Sequence, residues 1–158
     1  MKNLGLKYTG LLVLAFLMAC GTEPRNTVIL QIAGSDIEYS LRNTICEADY
    51  AFSGSNSPVR CYGRFRTTSS ISDGVTFEIF DAFYIDQNLG KNIALHPSSV
   101  WPRVTLDGIE RGIVDGYANF SQISNYSGGR VCFQFYMILI DATIQGNFCD
   151  NISVGAQF

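Results

Sequence analysis

The sequence predicts an all-β domain, an antiparallel β-sandwich with a small β-barrel as the alternative. Three observations lead there: apolar residues alternate with period two in successive short runs, clusters of turn residues separate those runs, and aromatic residues make up 13% of the chain. Period-two alternation marks strands with one face buried. Many short strands at such spacing suit a sandwich or barrel, and phenylalanine and tyrosine fit a pleated, half-buried surface.

The runs follow in order. Val28, Leu30 and Ile32 alternate, as do Ile37, Tyr39 and Leu41, then Cys46, Ala48, Tyr50 and Phe52. Val59, Cys61, Gly63 and Phe65 form the next, and Val75, Phe77 and Ile79 the one after. Gly34-Ser35-Asp36, the stretch 53–58 (Ser-Gly-Ser-Asn-Ser-Pro) and residues 69–74 separate them as turns. Asp107-Gly108, between Val104-Thr105-Leu106 and Ile109, predicts a two-residue type I′ hairpin, whose central residues both need positive φ. For residues 113–123, Ile113, Tyr117 and Phe120 would also fit one helix face. Gly116 and the β-rich surroundings favour a strand. The most apolar stretch after residue 20 is 131–140. Phe133, Phe135, Met137 and Leu139 share one face, and Cys132, Tyr136, Ile138 and Ile140 the other. That pattern predicts a central strand covered on both sides. A turn at Asp141-Ala142 would then place Gln134 opposite Cys149, with Cys132 two residues away on the same face.

The N-terminus has a different character. Lys2 and Lys7 precede an apolar run, Leu11 to Met18, with no acid among them. A positive region, an apolar core and a small residue describe a secretory signal, and the run falls short of the roughly 20 residues needed to span a bilayer. Leu17-Met18-Ala19-Cys20 resembles the bacterial lipobox, with Leu first, Ala before the cut and Cys as the first mature residue. The resemblance covers this segment alone. It implies a signal peptide over 1–19, cleavage of the Ala19–Cys20 bond, diacylglycerol on the Cys20 sulfur and anchoring in a membrane by several acyl chains, since one chain binds only marginally. Gly21 and Thr22 lack the aspartate that keeps some lipoproteins at an inner membrane, so the resemblance points to the outer membrane. Residues 20–26 read as lipidated cysteine and polar tether, and 27–158 as a single β domain.

The formal net charge is −3, and cleavage removes two lysines and no acid, so the mature chain is more acidic still. Nucleic-acid partners, which favour clustered positive charge, are not expected. Five cysteines less Cys20 leave Cys46, Cys61, Cys132 and Cys149. An even number in an exported chain reads as two disulfides. Neighbours in sequence tend to lie on neighbouring strands, which favours Cys46–Cys61 and Cys132–Cys149 among the three possible pairings. No CxxC pair occurs and His96 is the only histidine, so neither a zinc site nor any other cofactor is expected.

The candidate binding residues are Arg60, Tyr62, Arg64 and Arg66, which alternate with Val59, Cys61, Gly63 and Phe65 and so line one strand face. Guanidinium forks match phosphate and carboxylate, and the competing reading is a solvated face whose charges discourage edge pairing. Asp81, Asp86, Asn88 and Gly90 offer oxygens and a turn to calcium, but not at the spacing of the twelve-residue loop. Glu47 and Asp49 read as a solvent face. His96 beside Pro97-Ser98-Ser99 suggests a hydrolase, yet no GxSxG elbow occurs. Trp101 and Tyr84 could form a sugar-stacking platform. Asn119, Asn125 and Asn151 open Asn-x-Ser triplets, read as chance. The expected protein is a non-catalytic envelope binding or accessory module, held to the membrane by its lipid and contacting an envelope protein, glycan or lipid. A carrier of a small lipophile is the alternative, since β-barrels can hold one, and an envelope hydrolase is the third reading.

Overall fold

The computed structural model describes residues 25–48, 58–67, 73–124, 126 and 128–154. The all-β expectation holds: the chain forms a curled, open, half-barrel sheet. Its strands are β1 (Thr27–Ile32), β2 (Ser35–Ser40), β3 (Arg42–Ala48), β4 (Val59–Phe65), β5 (Asp73–Ile79), β6 (Asn92–Ala94), β7 (Val100–Leu106), β8 (Ile109–Arg111), β9 (Ile113–Gln122), β10 (Arg130–Leu139) and β11 (Thr143–Val154). Among the described residues one short helix, α1 (Ala82–Asp86), interrupts them. The order across the sheet is β6-β9-β10-β11-β3-β4-β5-β7-β8, with β1 beside β11 and β2 beside β1.

The curl arises in β11, which the alternation did not single out. Its first half pairs with β1, from Thr143↔Gln31 to Asn147↔Thr27, and its last residues pair with β3, at Ile152↔Cys46 to Val154↔Ala48. One strand therefore belongs to two half-sheets. The β11–β3 pairing is parallel, a departure from the purely antiparallel expectation. The halves face each other across aromatic residues. Phe77 on β5 meets Phe133 and Phe135 on β10 at ring separations of 4.8 and 4.9 Å.

Local sequence explains most elements. Asp107 (φ 54°) and Gly108 (φ 73°) both take positive φ, and Leu106 pairs with Ile109, as the type I′ reading required. Residues 113–122 are strand, paired along β10. The β10–β11 turn is two residues longer than the sequence suggested: Ile138, not Ile140, faces Thr143, and Leu139 N–H donates to Ala142 O. That shift puts Cys132 directly opposite Cys149. Both expected disulfides form, Cys46–Cys61 and Cys132–Cys149. The expectation that β10 is covered on both faces is corrected. Phe133, Phe135, Met137 and Leu139 are buried, while Ile138 is half-buried and Ile140 is 81% exposed. Only the concave side of the sheet receives the opposing half.

Asp73 is the one fully buried charged residue among the described residues. Its carboxylate accepts from Asp107 N at 2.6 Å and from Thr67 N and Oγ1 at 3.1 and 2.5 Å. It thereby ties the start of β5 to the β7–β8 turn and to the residues after β4. Bonds to a charged group are worth about 1.5–3 kcal/mol each, and an orphaned buried N–H adds a penalty. Asp73→Ala is expected to lower stability by about 2–3 kcal/mol in urea unfolding; a loss below about 0.5 kcal/mol, the range of an ordinary surface substitution, would contradict this role.

Candidate functional site

The outer face of β3–β4–β5–β7 carries a groove of about 440 Å³. Strand β4 builds it by simple alternation. Val59, Cys61, Gly63 and Phe65 are buried, and Arg60, Tyr62 and Arg64 point outward. Register then sets their neighbours in rows. One row reads Glu47, Arg60, Glu78 and Trp101, the next Ile45, Tyr62, Thr76 and Arg103, and the third Arg42, Arg64, Gly74 and Thr105. Three of the four predicted stripe residues, Arg60, Tyr62 and Arg64, line the groove; Arg66 lies beyond the end of β4, exposed and outside it.

The electrostatics of the rows differ. Glu78 is mostly buried and accepts from two guanidiniums, Arg103 at 2.7 Å and Arg60 at 3.2 Å. Both arginines are thereby held upright, and the single carboxylate offsets one of their two charges. Arg42 and Arg64 sit directly opposite each other, and among the described residues neither meets a carboxylate within salt-bridge distance. Like charges facing across a strand pair are unfavourable, and the acid that lines this end of the groove is the buried Asp73, next to Gly74. Next to Arg64 the floor is bare. A Cβ on Gly74 would come within 3.1 Å of Gly63 O, so that position stays small and leaves a notch beside the guanidinium. Sequence reading missed Arg42 and Arg103, because only strand register brings them beside β4.

The other candidates are not gathered into one site. Cys20, Asp49 and Asn125 lie outside the described residues. Asp81 caps α1, its Oδ1 accepting from Tyr84 N at 2.8 Å, and Asn88 accepts from Lys91 Nζ at 3.2 Å and donates to Tyr84 O. These oxygens already have local partners, and no cluster of three metal-binding side chains occurs among the described residues. Asn119 donates to Gly90 O and Asn92 Oδ1, and Asn151 is exposed on β11. Glu47 is half-buried opposite Arg60 rather than free in solvent. His96 is exposed. Its Nδ1 takes the Ser98 N–H at 3.2 Å and lies 2.8 Å from the Ser98 hydroxyl, a bond within its own turn. It lines a second, smaller cleft of about 300 Å³ with Pro97, Trp101, Glu110 and Arg111. Tyr84 is on α1 and Trp101 on β7, and no ring contact joins them.

No protein family, no curated protein and no solved structure matches this chain. The groove stands on its own chemistry: rigid strands, Arg60 and Arg103 fixed by a shared glutamate, Arg64 without a salt-bridge partner among the described residues, Tyr62 between them, the acids Glu47 and Asp73, and Arg42 next to the lining, opposite Arg64. That arrangement suits recognition of a carboxylate or phosphate, which planar guanidinium forks grip in pairs.

Proposed function

We propose that this is a lipid-anchored envelope protein whose β domain is a non-catalytic binding module, taking an anionic group in the arginine groove. The observation that carries the reading is the exposed Arg64, with Arg42 opposite it and the Gly74 notch beside it. A bound anion would offset the repulsion between the two guanidiniums. The lipobox-like Leu17-Met18-Ala19-Cys20 supplies the anchor, with the outer membrane as its address. The acyl chains on Cys20 are the proposed hold. The curled sheet acts as a sandwich, its halves packed face to face. A carrier would need hollow space there, whereas Phe77 from one half packs against Phe133 and Phe135 from the other at 4.8 and 4.9 Å. Those contacts favour the module over the carrier. The shared ligand chemistry, carboxylate or phosphate, can come from an acidic glycan or an anionic lipid headgroup.

The test is binding of oligogalacturonate and, separately, of phosphatidylglycerol vesicles to the Cys20→Ala protein, at low and high salt. Binding of one probe that weakens with salt is expected, since exposed charges are screened within about 10 Å at 0.1 M. Arg64→Ser should weaken it at least tenfold, the loss of about 1.5 kcal/mol or more for a bond to a charged group. Arg66→Ser should leave it nearly unchanged. If the Arg42→Ser/Arg64→Ser double variant binds as well as the parent, the groove is a solvated face.

A further inference from the structure

We propose that one end of the domain, displaying Phe83, Tyr84, Leu89 and Tyr126, seats on the bilayer surface beside the anchor; this rests on the reading that Cys20 is lipidated. The point where the tether meets the domain is fixed. Asn26 donates to Cys149 O at 3.1 Å and accepts from Cys149 N at 2.6 Å, and its carbonyl accepts from Leu41 N. The chain therefore leaves the sheet at the Cys149 end of β11. The same end carries α1 and the β9–β10 turn. Gly90 N–H donates to Phe120 O at the close of β9, and Gly128 N–H to Ile152 O. Register gives the lateral scale. Asn92, Asn119, Gln134, Asn147 and Thr27 lie in one row across five strands. At about 4.8 Å per strand, the tether exit and the α1–β6 connection are about 19 Å apart across the sheet.

Helix α1 displays its rings by design of the turn. Ala82 and Ile85 are buried and Asp81 caps the first turn, so Phe83 (65% exposed) and Tyr84 are turned outward. Tyr126, 62% exposed, projects from the neighbouring turn. Tyrosine favours the headgroup level, apolar on one side and wet on the other. Asp81 and Asp86 flank the rings and Lys91 follows them, so the seating is shallow, within the about 5–10 Å of the headgroup and acyl boundary.

The opposite end is also apolar, with the exposed Ile32 and Ile140 at its turns. Reach decides between the ends. β1 runs from Thr27 to Ile32 away from the exit, so a tether reaching the far turns would have to double back about 17 Å along that strand, nearly all of the about 20 Å that six extended residues span. The far turns therefore face away from the membrane.

The experiment uses the full lipidated protein in vesicles of phosphatidylethanolamine and phosphatidylglycerol carrying nitroxide-labelled lipid. In a Trp101→Phe background, tryptophan is placed at Phe83→Trp, at Tyr126→Trp and, as the far-end control, at Ile140→Trp. All are exposed positions, and the acyl state of Cys20 is read by mass on the same sample. Blue-shifted, quenched emission from the first two and unshifted, unquenched emission from the third is the expected result. Acylated Cys20 with no quenching at residues 83 and 126, or with equal quenching at 140, overturns the seating and leaves the anchor standing. An unacylated Cys20 overturns both.

Discussion

Removing both disulfides is expected to bring this domain to the edge of unfolding. The bridges join directly opposed residues on paired strands, Cys46↔Cys61 and Cys132↔Cys149, with Cα separations of 4.1 and 4.0 Å and sequence separations of 15 and 17. Closing a 15-residue loop in the unfolded chain is worth about 3 kcal/mol. Two such loops give about 6 kcal/mol, comparable to the whole stability of about 5–15 kcal/mol usual for a domain. The two bridges differ in burial. Cys46 and Cys61 are fully buried, whereas Cys132 and Cys149 lie on the outer face, half-exposed. Alanine at both Cys132 and Cys149 removes mainly the constraint, while alanine at both Cys46 and Cys61 also leaves a gap under the sheet and costs more. Thiol reductant should open Cys132–Cys149 first. Urea unfolding of the two paired variants and mass mapping of a reduction time course check this. Losses under about 1 kcal/mol per pair, or earlier opening of Cys46–Cys61, would contradict it.

Strand identity and disulfide partners were legible because both depend on local pattern. Alternation placed Val59, Cys61, Gly63 and Phe65 inward and Arg60, Tyr62 and Arg64 outward, and the sheet keeps that phase. Asp107-Gly108 fixed its turn because few dipeptides accept two positive φ values in succession. The pairing of Cys132 with Cys149 followed from proximity in sequence, although the turn between them was misplaced by two residues. A four-residue turn and a two-residue turn put the same side chains on the same face, since the period is two, so the error left the disulfide intact.

What escaped the sequence was long-range register. Nothing local says that β11 changes partner from β1 to β3, yet that change curls the sheet and sets β5 against β10. It also hid part of the groove and its surroundings. Arg42 becomes a neighbour of Arg64, and Arg103 of Glu78, only through pairings across the sheet. Helix α1 escaped for another reason. Phe80 to Ile85 has the aromatic and β-branched composition of a strand, and the Asp81 cap together with burial of Ala82 and Ile85 overrides it. Stripe residues were visible as a pattern; the site they form is a product of topology.

Phe133→Ala is expected to be the most damaging single core substitution. Phe133 is the residue at which the two halves of the curled sheet meet. Its ring lies 4.8 Å from Phe77 and 4.8 Å from Phe120, 5.4 Å from Phe148 and 6.2 Å from Phe135. Phe77 belongs to β5, on the other half, while Phe120 and Phe148 belong to the strands flanking β10. Truncation therefore loosens both the β9–β10–β11 face and its contact with β5. A buried Phe→Ala change costs about 3–5 kcal/mol, part transfer and part cavity, and aromatic pairs add about 0.5–1.5 kcal/mol each beyond area. The cavity cannot close easily, because the backbone on both sides is held in ladders and by the Cys132–Cys149 bridge one residue away. Phe133→Leu fills most of that space and should cost less than half as much. Denaturant unfolding of the three proteins decides the matter. Equal losses for alanine and leucine would mean that ring contacts, not volume, hold the halves together, and a loss for alanine below about 1 kcal/mol would place the junction elsewhere.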